Sequence, residues 1–156
     1  MADIVVGNDW LTARYPHVQC VYVGGQVDDR SFDEFLLYFA ADIDARSSAR
    51  KIGVFYYSPD AAMDSSRRRR LAKILNDRKE KLARTTAAYA LATDSPFVRG
   101  VLTTLFWMAP PGYPYKMVAS PEQGLAFIAE HRLGVDPQAI ARSFLEILET
   151  REQRAS

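Results

Sequence analysis

Apolar positions along the chain recur with two different periods, and each switch between them marks the boundary of an element. Residues 9–14 alternate apolar and polar, Tyr15-Pro16-His17 supplies a turn, and residues 18–27 are rich in β-branched and aromatic side chains. That pattern predicts an opening β-hairpin, and residues 4–6 offer a further candidate strand ahead of it. The period then lengthens. Ser31 followed by Glu34 reads as a capping box, and Phe32, Phe35, Leu36, Phe39 and Ile43 fall on one helical stripe. After the polar stretch 46–50, the continuous apolar run 52–57 suits a strand buried on both faces, ended by Ser58-Pro59-Asp60.

A second helix is predicted over 65–83, with Leu71, Ile74, Leu75 and Leu82 inward and arginines and lysines outward. Another buried strand follows at 87–93. Ser95 then caps a third helix that has Pro96 in its first position and Val98, Val101, Leu102, Leu105 and Phe106 inward. Pro110-Pro111-Gly112 breaks it, and residues 115–119 read as a last strand. Ser120, Pro121 and Gln123 repeat the capping logic for a helix carrying Leu125, Phe127 and Ile128. Gly134 ends that helix, and Asp136-Pro137 opens a final one with Ile140, Phe144, Ile147 and Leu148, a stripe that must cover either its own sheet or a second subunit.

The expected fold class is therefore α/β: a mixed, mostly parallel sheet of four to six strands with an N-terminal hairpin, crossover helices and an extra C-terminal helix. Residues 1–134 make the α/β domain and 135–156 a helical extension. In such sheets the loops that bind lie beyond the carboxyl ends of the strands, which selects 58–66, 93–99 and 119–122.

Composition narrows the function. A chain of 156 residues with 48% hydrophobic residues is the size of one domain that needs no staple. The lone Cys20, set in an apolar run, reads as a buried small hydrophobe. A net charge of +1 argues against a dedicated nucleic-acid binder. The sequence carries neither a secretory signal pattern nor an apolar run long enough for a membrane helix, so the cytoplasm is the expected location. His17 and His131 stand apart from any metal-ligand spacing, and no phosphate-binding glycine loop, nucleophile elbow or zinc motif is present. No metal and no cofactor is expected.

Four constellations remain. Asp64, Ser65 and Ser66 stand at a helix start, where such residues satisfy free N–H groups. Arg67, Arg68, Arg69 and Arg70 form either a solvated face or a basic patch for an acidic partner, preferentially a protein surface rather than lipid or nucleic acid. Asp94, Ser95 and Arg99 lie at a strand-to-helix turn that caps or, with the 58–66 loop, holds a small ligand. Trp107, Met108, Tyr113 and Tyr115 form a proline-stiffened aromatic segment at the opposite end of the sheet, part core and part protein contact.

The order of elements resembles the STAS fold of anti-sigma-factor antagonists and of the cytoplasmic domains of sulphate transporters. More narrowly, Ala-Leu-Ala-Thr-Asp-Ser-Pro-Phe-Val-Arg-Gly-Val-Leu from Ala90, then Phe106-Trp107, then Tyr-Lys-Met-Val-Ala-Ser-Pro-Glu-Gln-Gly-Leu-Ala-Phe from Tyr115 is similar to uncharacterised bacterial STAS-like proteins, sometimes grouped with CRAL-TRIO lipid-binding folds. Met63-Asp64-Ser65-Ser66 resembles the Met-Asp-Ser-Ser-Gly-Leu pattern whose second serine is phosphorylated in anti-sigma antagonists, with Arg67-Arg68 in place of Gly-Leu, and this resemblance implies that phosphate on Ser66 (or Ser65) switches the surface. The resemblance implies a non-enzymatic regulatory or scaffolding module acting on a protein partner or as a homodimer. The alternative is a sensor or carrier of a small ligand such as a lipid or nucleotide. An enzyme using Asp64, Ser66 and Asp94 is the third reading, in which no base is paired with a nucleophile in sequence.

Overall fold

A computed structural model describes the backbone of residues 2–59, 64–108 and 110–155, with the side chains of 97, 98, 101, 104, 105, 108 and 153–155 outside that description. Among the described residues six strands form one sheet in chain order: β1 (Asp3–Val6), β2 (Trp10–Tyr15), β3 (Val18–Val23), β4 (Ile52–Tyr57), β5 (Thr86–Ala92) and β6 (Tyr115–Val118). β1, β2 and β3 pair antiparallel, and β3 to β6 pair parallel. The helices are α1 (Asp29–Ala45), α2 (Ser65–Asp77), α3 (Lys79–Thr85), α4 (Pro96–Met108), α5 (Pro121–His131) and α6 (Pro137–Ala155).

The sequential strand order decides which helix goes where. Each parallel step moves one strand further in the same direction, so right-handed crossovers leave all their helices on one face. Phe32, Phe35, Phe39 and Ile43 of α1, Leu82 of α3 and partly buried Leu71, Ile74, Leu75 and Leu102 accordingly pack with Trp10, Val21, Val23, Tyr56 and Leu91. The opposite face, carrying Leu11, Ala13, Cys20, Phe55, Ala88 and Ala90, is covered by Leu125 and Ile128 of α5 and by Ile140, Phe144 and Leu148 of α6. The stripe of α6 thus covers its own sheet, where Phe144 stands edge-on to Phe55 with ring centres 6.1 Å apart. The close approach of α5 depends on Gly124, because a Cβ there would sit 2.5 Å from the Phe55 ring.

Several boundaries differ from the sequence expectation. β3 stops at Val23, short of residue 27, because Gly24 turns the chain beneath Asp9. A Cβ on Gly24 would lie 2.3 Å from the Asp9 carboxylate, which accepts the Gln26 N–H at 2.6 Å. Ser31 is not the N-cap of α1. Asp28 holds that place, its carboxylate accepting the Ser31 N–H at 2.8 Å, so Ser31 sits inside the first turn and is buried. The single helix expected over 65–83 is two helices that meet at Arg78. The buried side expected of its first part is shallow: α2 has no fully buried residue.

Buried and partly buried ionisable groups are expected to make the fold less stable at alkaline pH. Burial pushes the Cys20 thiol and the Tyr56 phenol up, and burial followed by the neighbouring Tyr56 and Tyr113 pushes Tyr89 up further. Tyr113 is also raised by burial, against the pull of Arg46. Each group has its folded pKa above the unfolded value, so its contribution is complete below the unfolded pKa and is lost as pH climbs toward the folded one. Urea midpoints are expected to be level up to about pH 8.5, where an unfolded cysteine begins to ionise, and to fall more steeply above about pH 10 as unfolded tyrosines follow. Midpoints independent of pH through that window would contradict the burial assigned to these groups.

Candidate functional site

The carboxyl ends of β3, β4, β5 and β6 point to one rim, because those strands are parallel. Ser58 laces this rim together, its N–H donating to the Ala92 carbonyl and its hydroxyl to the Val23 carbonyl, each at 3.0 Å. The helices that follow these strands begin there, and in α1, α2 and α5 one of the first N–H groups is satisfied by a capping side chain. Asp64 caps α2 by accepting the Arg67 N–H at 2.8 Å. Ser120 accepts the Gln123 N–H at 3.3 Å, and Gln123 reaches back to the Ala119 N–H at 3.0 Å, one residue before the cap. At α1 the hydrogen bonds from the Ser31 N–H and then its hydroxyl hold the Asp28 carboxyl below the usual range.

Ser65 and Ser66 are both exposed in the first turn of α2, while Met63 of the four-residue motif lies outside the described residues. Asp94 is exposed at the rim beside buried Thr93. Ser95 gives its carbonyl to the Arg99 N–H, the first bond of α4, and its N–H donates to the Thr93 hydroxyl. Arg99 donates to the Thr93 carbonyl at 2.8 Å. The turn is held by its own side chains.

The basic patch is divided. Arg67 bridges to Asp29 at 2.9 Å, Arg70 bridges to Asp33, and both guanidiniums lie over the Phe32 ring, at 5.2 and 5.8 Å from its centre. Arg78 makes a bidentate pair with Asp44 at 2.9 and 3.1 Å. These three bridges ascend together along both helices and flank the shallow apolar contact that Leu71, Ile74 and Leu75 make with the core. Of the four arginines expected to form the basic patch, Arg67 is turned to α1, Arg68 is partly buried, and Arg70 pairs with Asp33 while staying exposed. Arg69 is exposed.

At the amino rim the aromatic segment also divides. Phe106 packs on Tyr115 at 4.6 Å, and Tyr89 lies between Phe106 and Tyr113 at 6.3 and 6.4 Å, so Tyr113 and Tyr115 belong to a packed cluster. Trp107 stands away from it with 81% of its surface exposed, and the Met108 side chain lies outside the description.

Two polar clusters escape the sequence reading. Asp9, with a positive φ of 59°, accepts from Arg151 of α6 at 3.3 Å, and that guanidinium lies 4.9 Å from the Tyr22 ring centre, tying the last helix to the carboxyl rim. Between α1 and the sheet, Arg46 donates to Gln19 at 3.3 Å and lies 3.9 Å from Asp42, which also meets Arg14. The signal for the second was an Asp and an Arg four apart near the end of an apolar helix.

Among the described residues no group of three histidine, cysteine or acidic side chains is arranged to hold a metal, and no helix is long and apolar enough to cross a membrane. A surface groove between α5 and α6 is lined by Glu122, Gln138, Arg142, Glu146 and Glu149 with Ala141 and Leu145. No protein-family model, no curated protein and no solved structure matches the chain.

Proposed function

We propose that this chain is a STAS-like regulatory or scaffolding module that works by protein–protein contact at its amino rim and carries out no chemistry of its own. The observation that supports this reading is Trp107. An indole left 81% exposed forgoes most of its burial free energy, and it does so beside a packed aromatic cluster that fixes the end of α4. Tryptophan on a rigid support is the residue type that dominates binding energy at protein interfaces.

The carboxyl rim supports the same reading in a different way. Arg99, Thr93, Asp64 and Ser58 are engaged within the fold, and Asp64, Ser65, Ser66 and Asp94 stay exposed at its surface, where phosphate on Ser66 would add charge beside an existing carboxylate.

Trp107→Ser is expected to change stability by less than about 0.5 kcal/mol, as for other exposed positions. The same change is expected to weaken a partner by roughly thirty-fold or more. The check is affinity purification from the native host with wild-type and variant bait, followed by titration of whatever wild type retains. Equal recovery and equal affinity with both baits would remove the amino rim from the proposal.

A further inference from the structure

We infer that the free edge of β1 is an interface between two copies of this chain, which pair antiparallel through Ile4 and Val6 about a twofold axis at Val5. The inference uses residues other than those of the amino-rim proposal and stands or falls separately from it.

β1 is an outer strand of the sheet, and its four residues are all exposed. Three of them are β-branched: Ile4, Val5 and Val6 show 45%, 37% and 57% of their surface. Edge strands are blunted by shortness, charged side chains, proline, a bulge or a covering segment, and of these β1 has its four-residue length and the charge of Asp3. The stretch Asp3–Val6 contains neither lysine nor proline, and its ladder to β2 runs without a register shift.

The register with β2 fixes which backbone groups are left over. The Gly7 N–H bonds the Trp10 carbonyl, so Gly7 and Trp10 exchange bonds, and with them, in alternation, Val5 with Thr12 and Asp3 with Arg14. Ile4 and Val6 therefore point their N–H and carbonyl groups away from β2, toward the open edge. An extended backbone can take the place of water along that row of donors and acceptors.

A second copy satisfies it with itself. With the axis at Val5, Ile4 of each copy exchanges two bonds with Val6 of the other, Val5 faces Val5, and Asp3 faces Gly7. Every exposed apolar side chain then meets another, and no charge meets its like. Moving the axis to Ile4 sets Val5 against Asp3, and moving it to Val6 sets Asp3 against Asp9. The twofold relation keeps corresponding sheet faces together, so α6 of both copies flank one strip made by Ile4 and Val6. The contact is small beside a standard interface of about 1,600 Å². The dimer is accordingly expected to dissociate in the micromolar range.

Sedimentation equilibrium across that range, together with two variants of the full chain, tests this. Val6→Pro removes a donor that β2 does not use, so the intramolecular ladder survives while two of the four intermolecular bonds are lost. The dissociation constant is expected to rise about thirty-fold, with an unchanged circular dichroism spectrum. Val5→Cys places two thiols across the axis in a non-hydrogen-bonded pair about 4.5 Å apart at Cα, within reach of a disulfide. Mild oxidation is expected to give a covalent dimer from this variant and not from Ile4→Cys, and the native Cys20 is fully buried and does not compete. A wild-type chain that stays monomeric at several hundred micromolar, or a dimer indifferent to Val6→Pro, overturns the interface. Cross-linking through Ile4→Cys in place of Val5→Cys overturns the register.

Discussion

Truncating Phe144 to alanine is expected to lower the free energy of unfolding by about 3–5 kcal/mol in a urea titration. Phe144 has no exposed surface, meets Phe55 edge-on and sits between buried Ile140, Ala141 and Leu148 on α6. Removing the ring takes away its transfer free energy and leaves a cavity walled by sheet and helix, which cannot close without moving α6. That helix is anchored near both ends, by Ser143 against the Tyr15 hydroxyl at 2.8 Å and by Arg151 on Asp9. Collapse is therefore resisted, and the cost belongs toward the upper end of the range. A loss below about 1 kcal/mol would mean that α6 is an appendage and not a wall of the core.

The second large effect is expected at Asp42. Its side chain, in the last turn of α1, and that of Arg46, the residue that caps the helix, are each only 6% exposed. Burial holds the Arg46 guanidinium below its ordinary pKa, and the charge of Asp42 is the chief influence opposing that shift. Asp42→Ala leaves Arg46 buried with the Gln19 amide as its remaining hydrogen-bond partner among the described residues. The expected cost is about 3–5 kcal/mol, the range for a buried pair broken from one side. Asp42→Leu combined with Arg46→Met removes both charges while keeping volume, and is expected to regain most of that loss. If the double variant were no more stable than Asp42→Ala, packing at α1 and not the charge would be responsible.

These cases show where local pattern was sufficient to read the molecule and where it was not. The cap at Ser120 with Gln123 is a contact between residues three apart, and the sequence carried all of it. At α1 the same logic pointed to Ser31, but the helix starts earlier with Asp28 as its cap, which still keeps Phe32 and Phe35 in the core. The break at Arg78 follows Asn76 and Asp77, poor helix residues whose side chains compete for backbone groups. What fixes the break in space is the Asp44 carboxylate 34 residues away, which no periodicity reveals.

The candidate sites were legible as positions and not as states. Residue type placed Arg67, Arg70 and Arg99 at the helix starts. Whether a guanidinium faces solvent or its own fold depended on where Asp29, Asp33 and the Thr93 carbonyl were brought by the sheet. Trp107 and Tyr115 look alike in the sequence, but only the tyrosine is backed by a strand. The run at β1 was short enough to read as a candidate strand, and its exposure followed only from being paired on one side.

The two faces of the sheet are completed at different times in the life of the chain. The first acquires each of its helices between one strand and the next, whereas the second waits for α5 and α6, which emerge from the ribosome after every strand has been made. Until residue Leu148 is available, Phe55, Ala88 and Ala90 form part of a greasy plane open to water or to a chaperone, and during that interval aggregation competes with completion of the core.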